Sequence, residues 1–261
     1  VSMPENEVFR HLSQLNQQGY KEVILTGIHT GLYGRDLRPG KSLSGLLEKI
    51  NDNRSVHRVR LSSIEPNEID DTIIKMAEPG NILCNHFHIP LQSGDNDILK
   101  RMKRPYDSNF FRDIVLKIHE IIPGVSIGVD TLIGFPSETD QQFENTYDLI
   151  ESLPVAYLHV FPFSRRKGTP AYHFKDQVEA SVIKERCALM RKLDKKKRKV
   201  FMQENLGVTL EGLVQHKADK ETGQLKAVTS NYLTVFLKHN QDYKGKILDL
   251  VPERCDSDLN I

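Results

Sequence analysis

Five short polar or glycine-rich stretches carry most of the residues in this 261-residue chain that could do chemistry: TGIHTG at 26–31, SSIEP at 62–66, LQSG at 91–94, IGFPSET at 133–139 and PFSRRKGTP at 162–170. Gln92 and Ser93, taken with Ser62, Ser63, Glu65, Asp130 and Gly134, mix amide and hydroxyl donors, carboxylates and a glycine that lets a ligand approach the backbone. Such a set suits a ribose joined to an amino-acid moiety. A Gln-Ser-Gly corner also simply ends strands, since Ser and Gly favour turns, so LQSG draws functional weight only from its company. In the last stretch, Arg165, Arg166 and Lys167 beside Gly168 and Thr169 make a docking lip for phosphate or RNA.

Other chemistries are disfavoured. TGIHTGLYG lacks the GxGxxG and GxxxxGK[ST] spacings of nucleotide loops, and there is no Gly-x-Ser-x-Gly elbow. His29 has no partner at metal-ligand spacing and reads as a loop histidine rather than a base. Cys84, Cys187 and Cys255 lie far apart, without CxxC spacing, and read as isolated thiols rather than a disulfide framework or metal site. Thirty-six Lys+Arg against 35 Asp+Glu leave a net charge of +1, so a nucleic-acid footprint must be local. No apolar run reaches the roughly 18 residues of a membrane span, and no signal peptide opens the chain. It reads as cytoplasmic, and the Val-Ser start as that of a fragment.

These residues need elements to position them. Helices are expected at 4–18, over SLSGLLEKI, over PNEIDDTIIKMA with Pro66 opening it, at 96–102 and 109–122, and over SETDQQFENTYDLIES. Between them EVILTG, HRVRLSS, NHFHIPL, VSIGVDTLIG and VAYLHVF read as strands. Alternating strands and helices mean a parallel sheet with right-handed crossovers. In a barrel every strand end meets on one face, whereas in an open sheet only those at the switch point converge. Five furnished ends favour an α/β, TIM-like partial barrel. A long helix from Val178 to Gln203 carries RKLDKKKRKVF, with seven basic residues and one acid, read as an RNA contact through Lys195, Lys196, Lys197 and Arg198. After Asn205 come short alternating runs, expected to close into a small antiparallel barrel of about 55 residues.

LTGIHTGLYG, RLSSIEP, HIPLQSGDNDILKRMKRPY, DTLIGFPSETDQQF and HVFPFSRRKGTPA, in that order, resemble the radical S-adenosylmethionine methylthiotransferases. GLVQ, TSNYLTV and GKILDLV resemble a TRAM RNA-binding module. The resemblance implies a radical-SAM partial barrel at 1–204 and TRAM at 205–261. TGIHTGLYG with SSIEP resembles the branch acting on N6-threonylcarbamoyladenosine beside the tRNA anticodon; the rivals are isopentenyladenosine and ribosomal-protein enzymes, or a non-catalytic tRNA-binding fragment. PSET stands where PGET is commoner, which bears on the backbone at Ser137. The family uses S-adenosylmethionine and two 4Fe-4S clusters, one of them held by a CxxxCxxC loop. Neither cysteine set occurs here, so this chain alone is expected to be inactive.

The resemblance further implies that Gly27 and Ile28 lie against the methionine part of the cofactor, that Ser62, Ser63 and Glu65 line the next strand end, and that Gln92 and Ser93 meet the ribose. Arg104 is implied as partner of the methionine carboxylate, and Asp130 and Gly134 as the adenosine wall. Ser164, Arg165, Arg166 and Thr169 would face substrate. Residues 206–261 hold eight acids and seven Lys+Arg, so TRAM has no electrostatic case of its own; Tyr232 and Phe236 are candidates for base stacking, or for the core. A free first edge of the sheet makes a dimer conceivable.

Overall fold

The computed structural model describes residues 1–37, 39–238 and 240–255. The first helix, α1 (Glu5–Gln17), follows Pro4 and buries Val8 and Leu12, the one-face spacing of an amphipathic helix. β1 (Glu22–Leu25) pairs in parallel with β2 (Arg58–Leu61), Glu22 opposite Arg58, and between them α2 (Leu43–Asn53) starts at Ser42, whose side chain accepts from the Gly45 N–H. The helix expected from Pro66 is broken in two. A 3-10 turn covers Pro66–Glu68, Ile69 is extended, and α3 (Asp71–Met76) restarts where Asp70 caps the Ile73 N–H, because a second N-cap competes with helix continuation.

β3 (His86–Gln92), β4 (Ser126–Ile133) and β5 (Tyr157–Pro162) form a second parallel sheet in that order. Parallel bridges from Ser63 to His88 and from Val59 to Leu83 join it to β2, so five parallel strands run in chain order. α4 (Asn96–Arg101), α5 (Ser108–Ile121), α6 (Asp140–Ser152) and the 25-residue α7 (Ala180–Glu204) complete this part. Phe87, Ile89, Leu91, Ile127, Val129 and Leu158 point into one core with Ile50, Phe111, Val115, Ile150 and Met190 from the helices. Strand alternation therefore puts Glu22, Arg58, Arg60, His86, His88, Gly128, Asp130, Tyr157 and His159 on the opposite, concave face. Parallel strands covered on both faces are usually apolar throughout; here many alternate positions, among them Glu22, Arg58, Arg60, His86, His88, Asp130, Tyr157 and His159, are polar.

The C-terminal part is an antiparallel sheet of β6 (Leu210–Val214), β7 (Leu225–Thr229), β8 (Thr234–Leu237) and β9 (Ile247–Leu250), ordered β8-β7-β6-β9. The sequence predicts closure, yet among the described residues β8 and β9 do not pair. The apolar side of this sheet finds its cover elsewhere: Leu210, Val214, Leu225, Ala227 and Val235 pack with Phe201 and Met202 of α7, with Tyr157 of β5 and with Ala156 just before it. Two buried arginines fasten it further. Arg58 donates to the carbonyls of Glu211 (3.0 Å) and Val228 (2.9 Å), Arg60 to those of Thr229 and Ser230 (both 2.9 Å), and Glu22 sits between them accepting from both.

Candidate ligand site on the concave face of the partial barrel

Strand side chains on the concave face form one hydrogen-bonded chain. The Tyr157 hydroxyl lies 2.8 Å from His86 Nε2 and 3.1 Å from His88 Nδ1. His88 Nε2 is 2.8 Å, and His159 Nδ1 3.2 Å, from the same Asp130 oxygen, Oδ1. Burial alone pushes the Asp130 carboxyl up, but the two imidazoles outweigh it and hold the group below its ordinary range. An ionised carboxylate only accepts, so both facing nitrogens carry protons. The Tyr157 hydroxyl bridges His88 Nδ1 and His86 Nε2. The other ring nitrogen, His86 Nδ1, is a buried atom without a partner. Burial, then Arg60 and His88, keep His86 well below the usual imidazole range, so it stays neutral.

Gly128 makes this arrangement fit. A Cβ there would stand 2.0 Å from Tyr157 Cζ, so the tyrosine ring lies across the bare backbone of β4. Arg198 from α7 covers the ring at 5.0 Å. The three ligand-type atoms of His88, Asp130 and His159 lie within 4.8 Å of one another, a span a divalent ion could bridge. With both N–H groups aimed at the carboxylate, however, neither nitrogen offers it a lone pair.

The strand ends form the rim. Gly27, where a Cβ would meet Thr30 at ordinary contact distance (3.7 Å), and Ile28, 99% exposed, line a cleft of about 950 Å³ that also takes in His29, Thr30 and Tyr33. Ser62 Oγ lies 3.4 Å from Thr30 Oγ1, and Ser63 is held by its bridge to His88. Gln92 sits at a register shift of β3 with φ 68°, a left-handed conformation rare for a non-glycine residue and concentrated at functional sites.

Three residues expected at the rim are engaged with other parts of the protein. Ser93 does not share the cavity with Gln92: the bulge turns it inward, to 4% exposure, where its hydroxyl meets Thr146 Oγ1 (3.2 Å) and accepts from Asp95 N (3.2 Å). Arg104 is not an open carboxylate receptor, since its Nη1 contacts both Glu65 oxygens at 2.9 and 3.1 Å. Gly134, at φ 82°, serves packing: a Cβ would stand 2.4 Å from Ile183, and its N–H donates to Glu138 Oε2 (2.7 Å). Glu138, raised by burial, is held in turn by Arg186 at 3.0 Å. Ser137, where the sequence departs from Gly, has φ 63°, so a serine occupies a left-handed position there.

The basic residues divide. On the loop after β5, Arg165 donates to the Tyr172 carbonyl (2.6 Å) and stacks on its ring, and Thr169 Oγ1 donates to the Arg166 carbonyl (2.8 Å), while Ser164, Arg166 and Lys167 complete an outward-facing loop. α7 is not basic all round. Leu193 is buried, Asp194 accepts from the Leu158 N–H, Lys197 donates to the carbonyls of Glu151 and Leu153 (both 2.6 Å), and Arg198 pairs with Asp194. Lys196 pairs with Glu151, leaving Arg191, Lys192, Lys195 and Lys199 exposed. Tyr232 is not a free stacking platform either: its ring lies 4.4 Å from that of His86, with Arg60 at 5.1 Å.

Sequence reading passed over His86, His88, Tyr157 and His159, although H-F-H in β3, G-V-D in β4 and Y-L-H in β5 each show the period-two signal that puts them on one face. The thiols form no cluster site. Cys84 is buried near Glu22 with its pKa pushed up to about 12 by burial, Cys187 is buried on α7, and Cys255 contacts Met202.

With this geometry in hand, comparison places the chain among known proteins. The profile of the Radical SAM superfamily matches residues 1–150. A Bacillus subtilis (strain 168) protein called threonylcarbamoyladenosine tRNA methylthiotransferase MtaB is 38% identical over 250 residues, 95% of this chain and 55% of its own length. A Thermotoga maritima protein of that name is 36% identical, over 89% and 52%. A Clostridium tetani tRNA-2-methylthio-N(6)-dimethylallyladenosine synthase is 33% identical, over 94% and 54%. The chain thus spans about half the length of the curated relatives it matches. Among solved structures, the Escherichia coli radical SAM enzyme coproporphyrinogen III oxidase superposes with a TM-score of 0.54 at 14% identity, covering 74% of this chain and 46% of that one. The Kitasatospora setae radical S-adenosylmethionine methyltransferase TsrM gives 0.51 at 16%, over 62% and 31%. At such identities these two likenesses speak to the TIM-like fold alone.

Proposed function

The chain belongs to the radical SAM superfamily, and on that premise we propose that it is the cofactor- and substrate-holding part of a tRNA methylthiotransferase that acts on N6-threonylcarbamoyladenosine beside the anticodon. The observation that carries this reading is the 38% identity to the Bacillus subtilis protein of that name over 95% of the chain. Residues 1–204 are the radical SAM part and 205–261 a TRAM module in this reading.

The rim fits S-adenosylmethionine as a donor and acceptor set. Gly27 and the exposed Ile28 face the methionine part, Ser62 and Gln92 offer a hydroxyl and an amide, and the Glu65–Arg104 pair presents a carboxylate beside a guanidinium. When bound at a reduced iron–sulfur cluster, the cofactor supplies hydrogen-atom abstraction, the chemistry needed at C2 of an adenine, whose C–H no side chain here can deprotonate. The three thiols of this stretch do not fit a cluster, so no step is routed through them. What these residues contribute is binding, orientation and exclusion of water. tRNA meets the outward loop at 164–169 and the exposed lysines of α7.

The test uses full-length enzyme reconstituted anaerobically with iron and sulfide, given S-adenosylmethionine, a reductant and an anticodon stem-loop carrying the threonylcarbamoyl group. Methylthiolated nucleoside in the digest supports the reading, and its absence under conditions where the cofactor is cleaved counts against it. The 261-residue chain alone should give no product.

A further inference from the structure

We infer that Asp130 and His159 read the substituent on N6 of the target adenine, accepting a polar ureido-acid group and rejecting an isoprenoid one. The inference rests on the proposed activity and says which side chains make it selective.

The concave face is the argument. Asp130 and His159 are direct cross-strand neighbours, and His88 stands one pleat below Asp130 on the adjacent strand. Both imidazole N–H groups fall on Asp130 Oδ1, which fixes the carboxylate in one orientation and leaves Oδ2 to accept from a ligand. His159 is half exposed, at 50% of its side chain, with Nδ1 committed to Asp130 and Nε2 left for a ligand. A threonylcarbamoyl group carries N–H donors, a hydroxyl and a carboxylate, so it has donors for Asp130 and both kinds of partner for the imidazole. A dimethylallyl group has no polar atom beyond the N6–H itself. Placing it here would strip water from an ionised carboxylate and an imidazole and return no hydrogen bond, and sites built to hydrogen-bond a ligand discriminate strongly against analogues that lack the groups. Names of both substrate types occur among the relatives, so one fold serves both and a local feature must distinguish the two N6 groups.

The preorganisation runs deeper than the two contact residues. His88 holds Asp130, Tyr157 holds His88, and His86 holds Tyr157, so the carboxylate is aimed by a chain ending in the buried floor of the barrel. His88 and Tyr157 are positioning residues in this sense; Asp130 and His159 touch the substrate.

The experiment takes the full-length reconstituted enzyme as wild type, Asp130→Asn, His159→Phe and His159→Asn. Each is assayed with stem-loops bearing threonylcarbamoyl-adenosine or dimethylallyl-adenosine, and its affinity is measured for the loop with plain adenosine. Wild type should favour the threonylcarbamoyl loop by about 100-fold or more in kcat/KM. His159→Phe and Asp130→Asn should each lose most of that preference, about 10-fold or more, while plain-loop affinity stays within about twofold. His159→Asn, whose side-chain amide can replace Nδ1–H, should keep more of the preference than Phe does. Wild-type conversion of the threonylcarbamoyl loop with the preference intact in both Phe and Asn variants would overturn the inference and leave the activity standing. Conversion of neither loop by wild type would overturn both.

Discussion

The ring of Tyr232 is stacked on that of His86, centroids 4.4 Å and planes 26° apart, with the Arg60 guanidinium 5.1 Å from the same ring. One residue of the turn between β7 and β8 thereby closes the floor of the barrel, and it does so at φ 69°. Tyr232→Phe should be nearly silent, because the ring makes the contacts. Tyr232→Ala should cost about 2–4 kcal/mol in urea unfolding, somewhat below a fully buried aromatic because the residue is 50% exposed. Equal stability of Ala and wild type would mean the stack holds nothing.

Glu22 is the counter-charge for two buried arginines. Burial pushes its carboxyl up, but Arg60 and Arg58 outweigh that and hold it below the usual range. Glu22→Ala leaves Arg60 without its charge partner and Arg58 with only Glu211 (3.0 Å), and should destabilise by about 3–5 kcal/mol. Limited proteolysis should then cut between α7 and β6, at 205–209, where the wild type resists.

The same groups set the acid limit of stability. His86 is depressed well below 6.5, so its contribution is complete above that value and drains as pH falls beneath it. Glu22, depressed below 4.5, contributes fully above pH 4.5 and is lost as pH falls further. Unfolding free energy should therefore decline from about pH 6.5 downward and again below about 4.5. His86→Gln should flatten the first decline and leave the second. A profile in which His86→Gln keeps the first decline would assign that limb to another group.

On α7, Lys197 and Lys195 should behave differently despite identical chemistry. Lys197 is inside, its pKa lowered by burial, capping two carbonyls at the end of α6. Lys197→Met should lower the melting temperature and leave the salt dependence of tRNA binding unchanged. Lys195→Ala should do the reverse, reducing the slope of log affinity against log salt by roughly 0.7–0.9 for one lost phosphate contact. Equal effects on the slope would place both on the RNA side.

The parallel strands, their order and most helices were legible because each rests on a local signal: period-two or 3.6 hydrophobicity, a cap, a turn residue. Pro66 misled because it is a good helix opener, while Asp70 four residues later is a better one. Ser93 was misplaced because a bulge at Gln92 shifts which face the next side chain takes, and a bulge leaves no mark in composition. Lys197 and Arg198 looked like surface charge because a row of lysines does not say which carbonyls lie beneath it. Arg58 and Arg60 were read only as strand residues, since their partners are 153 to 170 residues away along the chain. The polar chain through Asp130 lay in plain view as alternation, but three strands had to be brought side by side before it became a site.

The most direct measurement of the central claim is nucleoside mass spectrometry of total tRNA from the source organism and from a strain lacking the full-length gene. The account predicts that the methylthio derivative of N6-threonylcarbamoyladenosine disappears while that of the isopentenyl nucleoside persists. Persistence of the former with loss of the latter would contradict it, and would move both the substrate and the reading of Asp130 and His159.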